Sequence, residues 1–159
     1  MYPEAPLTGA SRTTDHVQAP PSRDLELPLL DQETVEGWVA RWQRRLGLRE
    51  WKIESRIVRL SQLPRGTVAN VHWSLPRKSA TIKVLDPIDS TLPRSEVVRD
   101  TELSVVHELI HLSMAKLPLD SNDTELEEEA VRRISFALMA LERGEDAAIA
   151  PSKSSRNLR

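Results

Sequence analysis

The sequence feature that most constrains the fold is a pair of histidines, His107 and His111, set four residues apart within an apolar stretch. Residues i and i+4 lie one above the other on the same face of an α-helix. Apolar residues recur around the pair at three- and four-residue spacing, which predicts a buried helix over about residues 101–116. Pro118 follows and would stop that helix. The two imidazoles would therefore project from the same side of one helix.

Glu108 completes the pattern H-E-x-x-H, which is typical of metal sites built on a helix. Both imidazoles can reach one metal ion, whereas Glu108 lies beside them without being a ligand. The chain contains no cysteine, so any metal would be held by histidine and carboxylate side chains. The pattern therefore predicts one zinc ion per chain. The alternative is that the histidines lie on the flank of a core helix and Glu108 faces solvent.

A catalytic zinc ion needs three protein ligands and one open position, so a third ligand must come from elsewhere in the chain. The extended motif with a third histidine is excluded, because Met114 and Leu117 stand where it requires Gly and His. Of the other two histidines, His16 lies near the N-terminus and His72 on a predicted strand. A carboxylate downstream of the motif is therefore the better candidate.

Four glutamates open the last predicted helix: Glu125, Glu127, Glu128 and Glu129. The predicted apolar stripe of this helix consists of Leu126, Ala130, Ile134, Ala137, Leu138 and Leu141. Helical phase puts Glu129 on the margin of that stripe and Glu128 away from it. Glu129 is therefore the predicted third ligand, and Glu125 is the second choice. Alternatively, the cluster only compensates the helix dipole, which requires negative charge and nothing more.

The remaining sequence predicts an α+β fold with one small sheet. Asp31 is a candidate N-cap for a first amphipathic helix, which Gly47 would end. Three short strands are predicted from alternating apolar residues, over residues 51–57, 67–73 and 79–85. We expect them to form a mainly antiparallel meander. A loop to about Arg99 would lead into the motif helix, and a C-terminal helix would carry the third ligand.

Composition divides the chain into one domain and two tails. Residues 1–30 are rich in proline and polar residues without periodicity, which predicts a disordered leader. Residues 144–159 predict a flexible tail, so the folded domain would span residues 31–143. The sequence contains neither a signal-peptide pattern nor an apolar run of membrane-spanning length, and we expect no membrane partner and a cytoplasmic location.

The motif and the elements around it resemble those of zincin metallopeptidases. The resemblance rests on residues 107–111, followed by Glu128-Glu129-Ala130 in the next helix. This pattern is similar to the small ImmA/IrrE-type peptidases, in which a Glu-Ala step supplies the third ligand; that implies this role for Glu129. The Trp-containing first strand and the Ala80-Thr81-Ile82 strand also resemble SprT-like domains and putative metallopeptidases of phage genomes.

The resemblance implies a minimal zincin fold and a zinc-dependent hydrolase acting on a protein or peptide substrate. Glu108 would take a proton from a zinc-activated water and pass it to the leaving amine. We expect the peptide to add beside the strand 79–85. Three residues are candidates for contacts to the oxyanion or substrate: His72, Arg132 and Arg133. Asp100 would either bond a zinc-binding imidazole or cap the helix.

A competing function follows from the distribution of charge. The net charge of the chain is only -2, yet residues 41–83 contain eleven Lys or Arg residues and two acids. Such a region could dock on the phosphates of a nucleic acid. In this alternative the protein is a nucleic-acid-associated or partner-binding protein with a structural or vestigial zinc site. Glu108 argues against a non-catalytic partner-binding module, because a purely structural site requires no neighbouring base, whereas nucleic-acid binding could coexist with peptidase activity.

Overall fold

The computed structural model describes residues 30–117 and 124–144, and within them the fold is α+β with three α-helices and one three-stranded sheet. In chain order the elements are α1 (Gln32–Arg45), β1 (Lys52–Val58), β2 (Ala69–Ser74), β3 (Ser79–Leu85), α2 (Arg94–Met114) and α3 (Thr124–Arg143). Apart from residues 30 and 144, the predicted leader and tail lie outside the described residues, as does the linker 118–123. None of the helices described is long and apolar enough to cross a bilayer.

Helix α1 begins and ends where the sequence predicts. The Asp31 carboxylate accepts a 2.8 Å hydrogen bond from the backbone N–H of Thr34, which makes Asp31 the N-cap. Gly47 follows the helix with φ 69°, a left-handed conformation that glycine adopts without strain. The predicted amphipathic character is confirmed, since Val35, Val39 and Trp42 are buried in the core while Glu33 and Arg44 are exposed.

The sheet is mixed, which corrects the predicted meander. Its central strand is β3, which pairs in parallel with β1 and antiparallel with β2. Only β2 and β3 form a hairpin, through a tight turn in which Lys78 has φ 50°. The ten residues between Val58 and Ala69 are too many for such a hairpin, and they carry the chain across to the far edge of β3. As a result β2 is an edge strand.

Helices α1 and α2 pack against one face of the sheet, and α3 packs against α2. Successive side chains of a strand point to opposite faces, and Ala80, Ile82 and Val84 of β3 are buried on the helix-covered face. From α2, Val105 and Leu109 are completely buried in the same cluster. The other face of the sheet carries the more exposed residues of the strands. This arrangement holds α2 across the sheet with one side turned away from the core.

Helix α2 begins at Arg94, well before the predicted start near residue 101. Pro93 is the N-cap. Proline has no backbone N–H, but a residue at this position would not donate a hydrogen bond within the helix, so none is lost. Val97 and Thr101 then extend the buried side of the helix toward the motif. The H-E-x-x-H motif consequently lies in the last two turns of a long helix, which fixes its backbone rigidly.

Glu102 ties the other two helices to α2. Its carboxylate accepts hydrogen bonds from the Arg41 guanidinium and, at 3.2 Å, from the Trp42 indole nitrogen. Arg143 of α3 lies 3.8 Å from the second carboxylate oxygen. The Glu102 side chain is only 14% exposed, so these contacts lie in a partly desolvated environment, where ion pairs are screened less than at the surface. They help to set the position of α3 beside the motif.

Candidate metal centre

Three side chains bring potential ligand atoms to one point between α2 and α3. The Nε2 atoms of His107 and His111 are 3.2 Å apart. Glu128 of α3 reaches both rings, with its Oε2 atom 3.4 Å from Nε2 of His107 and its Oε1 atom 3.1 Å from Nε2 of His111. These three residues form a group that could hold a metal ion.

The chemistry and spacing of the group fit a tetrahedral zinc ion. Zinc binds histidine nitrogen and carboxylate oxygen at about 2.0–2.2 Å, so two ligand atoms on a tetrahedron lie about 3.3–3.5 Å apart. The two Nε2 atoms are 3.2 Å apart, and each lies close to a different oxygen of Glu128, at 3.4 Å for His107 and 3.1 Å for His111, which is near that range. The two histidines are partly buried, whereas the Glu128 side chain is 54% exposed. The group is therefore accessible from the side of Glu128.

Glu127 supports the group from behind. Its Oε1 atom lies 3.1 Å from Nδ1 of His111, the ring nitrogen that does not face Glu128. With the proton on Nδ1, His111 donates to Glu127 and turns the lone pair of Nε2 toward the common point. A carboxylate in this position fixes the tautomer and orientation of a metal-binding imidazole and raises its basicity. The sequence prediction gave Glu127 no such function.

Glu108 lies beside the ligand group in a largely buried position. Burial raises the pKa of its carboxyl group to about 7; His111 lowers it, the charge of Glu128 raises it, and a hydrogen bond from the backbone N–H of Val71 lowers it. A carboxyl group of this pKa can take up and release a proton near neutral pH. A cation bound nearby would lower the pKa, because it stabilises the carboxylate.

The predicted third ligand, Glu129, does not belong to the group. Its carboxylate pairs instead with the guanidinium groups of Arg132 and Arg133, the latter at 2.7 Å. The two arginines, which the sequence offered as oxyanion contacts, are thereby engaged on the side of α3 that carries Glu129. The structure thus brings Glu128, rather than Glu129 or Glu125, to the histidines.

The physical reason for this correction is the phase of α3. Its buried residues are Val131, Ser135 and Met139. Three members of the predicted apolar stripe are exposed instead: Leu126, Ile134 and Leu141. Glu127 and Glu128 precede Val131 by four and three residues and share its face, whereas Glu129 precedes it by two and does not. A stripe drawn through Val131 would have identified both glutamates.

His72 is not near the ligand group. It pairs with Thr81 across the β2–β3 ladder and is exposed. Its neighbour Val71 is buried on the face that packs against α2, so His72 points to the opposite face of the sheet. The structure therefore does not bring His72 to Glu108, because the sheet separates the two residues, and a contact of His72 with the oxyanion or substrate stays a prediction.

Asp100 occupies neither of its two predicted positions. It lies inside α2 rather than at its start, so it does not cap the helix. It also lies about two turns before His107, too far along the axis to bond that imidazole. Asp100 instead lines a separate hollow beside the same helix.

The basic region 41–83 is partly neutralised by ion pairs. Arg41 and Arg45 pair with Glu142, and Arg59 pairs with Asp89; both acids lie outside the region. Lys52 and Arg56 both lie near Glu54 on β1. The contacts do not test nucleic-acid binding, which stays a prediction from charge alone.

Comparison with known proteins found no match for the chain. No family model matches any part of it, and no curated protein and no solved structure matches it. The resemblance to zincins therefore rests on residues 107–111 and on the elements around them. Membership of a peptidase family remains a prediction.

Proposed function

We propose that the protein is a zinc-dependent metallopeptidase in which His107, His111 and Glu128 hold the metal and Glu108 is the general base. The observation that carries the proposal is the convergence of two imidazoles and one carboxylate beside a fourth group that is not a ligand: the two Nε2 atoms are 3.2 Å apart, and the two Glu128 oxygens lie 3.1 Å from His111 and 3.4 Å from His107. A structural metal site does not require that fourth group. A hydrolytic site does, because water must lose a proton when it attacks.

The proposed chemistry divides between the metal and the chain. A zinc ion in this position would polarise the substrate carbonyl and lower the pKa of water toward 7. Glu108 accepts the proton of the attacking water and returns it to the amine that leaves. The Val71 N–H holds the Glu108 carboxylate toward β2, and Glu127 holds His111 in its orientation.

The sheet supports a proposal for the position of the peptide. The expected site beside β3 is closed, because β3 is paired along both of its edges. Strand β2 is an edge strand, and its residue Val71 bonds Glu108. An extended peptide that added a strand to β2 through main-chain hydrogen bonds would bring a carbonyl next to Glu108. We therefore place the substrate along β2.

Hydrolysis of a peptide library by zinc-loaded protein, followed by mass spectrometry, tests the proposal. We expect the wild type to cleave members of the library and Glu108→Gln to cleave them at least about 100-fold more slowly, since general bases contribute about 10²–10⁴-fold. Zinc content should be the same in both proteins.

Glu96→Gln is the matched control, because Glu96 is an exposed acid in the first turn of the same helix. It should cleave at the wild-type rate. A wild type that binds zinc but cleaves nothing, or a Glu108→Gln protein as active as the wild type, would refute the peptidase assignment.

A further inference from the structure

A hollow of about 160 Å³ opens beside α2 on the N-terminal side of the metal centre. Asp100 and Ser104 of α2 line it on one side, and Val68, just before β2, lines it on the other. Its remaining wall includes Leu85 and the loop that leads into α2. The hollow thus lies between the same two elements, β2 and α2, that flank Glu108.

Helix geometry puts the hollow on the same side of α2 as the metal centre. At 100° per residue, Asp100, Ser104, His111 and Glu108 fall within about 80° of one another around the axis. At 1.5 Å per residue, Ser104 lies about 6 Å and Asp100 about 12 Å from Glu108 along the axis. Val71 bonds Glu108, and Val68, three residues earlier in the chain, lines the hollow, so an extended peptide along β2 would pass both.

Asp100 is the uncompensated charge of this hollow. Asp89 also lines it, but its carboxylate receives two hydrogen bonds from the Arg59 guanidinium, at 2.6 and 2.8 Å. The Asp100 carboxylate has neither a cation nor a hydrogen-bond donor among the described residues. Burial raises its pKa, because part of its surface is removed from water without a compensating partner.

The remaining wall suits the stem of a long side chain. Val68, Leu85, Leu92 and Val97 supply apolar surface around the carboxylate. Lysine and arginine combine an apolar stem with a cationic end, so they pack along apolar surface while the charge meets an acid. A lysine or arginine side chain bound in the hollow would supply the cation that the Asp100 carboxylate lacks among the described residues.

We propose that this hollow binds a lysine or arginine side chain of the substrate peptide and that Asp100 selects it. The inference rests on the proposed peptidase function and deepens it by naming a substrate class. An extended chain advances about 3.3 Å per residue, so the 12 Å between Glu108 and Asp100 correspond to about three to four residues. With the reach of the side chain itself, the basic residue lies two to four positions from the bond that is cleaved.

Binding to the zinc-loaded Glu108→Gln protein tests the inference without requiring hydrolysis. The probes are eight-residue peptides that carry one lysine, or uncharged norleucine of similar length, at each position in turn. We expect lysine at one position to improve the Kd at least about 10-fold over norleucine. Asp100→Asn in the same background should abolish that preference, Asp100→Glu should keep it, and Glu96→Gln should leave it unchanged.

Equal affinity for lysine and norleucine peptides at every position would overturn the inference, and so would a preference that survives Asp100→Asn. The peptidase proposal is decided separately, by cleavage in the wild type. If the wild type cleaves peptides without any preference abolished by Asp100→Asn, the peptidase stands and the selective hollow falls. If the preference is found but the wild type cleaves nothing, the selective hollow stands and the peptidase proposal falls.

Discussion

At the scale of single residues, two adjacent glutamates take different positions at the candidate metal centre. Glu128 lies against the Nε2 atoms of both histidines, whereas Glu127 lies against Nδ1 of His111 only. One is therefore placed as a ligand and the other as a positioning residue. The difference comes from the 100° rotation between successive residues of α3. Mutation of each should consequently have a different effect on zinc binding.

We predict that Glu127→Ala weakens zinc binding by about 10–100-fold without abolishing it. The reason is that the variant keeps all three ligands but loses the hydrogen bond that orients His111, and partners of this kind typically contribute that much. Competition with a chromogenic zinc chelator measures the change. Glu127→Gln should recover part of the affinity, because the glutamine side-chain oxygen can still accept the hydrogen bond from Nδ1–H of His111.

Glu125→Ala is the control for Glu127, since both residues are acidic and lie in the first turn of α3. Each substitution removes the same favourable charge from the helix N-terminus. Equal losses of zinc affinity in the two variants would show that Glu127 acts through the helix dipole and not through His111.

At the scale of elements, an ion pair anchors the loop that leads into α2. Arg59 follows β1 and pairs with Asp89, which also accepts a 2.8 Å hydrogen bond from the backbone N–H of Leu60. The Arg59 guanidinium and this N–H lower the pKa of Asp89 to about 2, from a usual value of 3.8. The contact joins the end of β1 to the segment that forms one wall of the Asp100 hollow.

The lowered pKa of Asp89 predicts how the stability of the metal-free protein depends on pH. A carboxyl group with a lower pKa in the folded state stabilises that state above the unfolded pKa, and the contribution is lost as pH falls through the folded pKa. Asp89→Asn should therefore lower the unfolding midpoint in urea at pH 7. The difference from wild type should shrink between about pH 4 and pH 2.

Glu54→Gln serves as the comparison for Asp89→Asn. Glu54 also pairs with two cations, but its side chain is about half exposed and its pairs are long, at 3.4 and 3.8 Å. Such surface pairs contribute little, so its midpoint should stay close to wild type at every pH. A difference for Asp89→Asn that stays constant down to pH 3 would mean that charge is not the cause.

At the scale of the whole molecule, local features were predictable and pairings between distant segments were not. The limits of α1 followed from Asp31 and Gly47, whose capping functions depend only on neighbouring residues. The strand order did not follow, because it depends on which strands meet after a long connection. The motif indicated two ligands by itself, since both lie on one helix.

The third ligand required knowledge of a surface that the sequence of α3 does not reveal. This helix carries apolar residues on more than one side: Leu126 is 70% exposed, whereas Val131 is fully buried. Only the packing of α3 against α2 decides which side is covered. The covered side of α3 differs from the predicted apolar stripe, so Glu128 and not Glu129 faces the histidines.

Zinc content per chain is the decisive measurement for the proposal that His107, His111 and Glu128 bind one zinc ion. The protein is loaded with zinc, dialysed against metal-free buffer and analysed by atomic emission, alongside Glu128→Ala and Glu129→Ala. We predict about one zinc per chain in the wild type and in Glu129→Ala, and far less in Glu128→Ala. Zinc lost with Glu129→Ala but kept with Glu128→Ala, or no zinc in the wild type, would contradict the proposal.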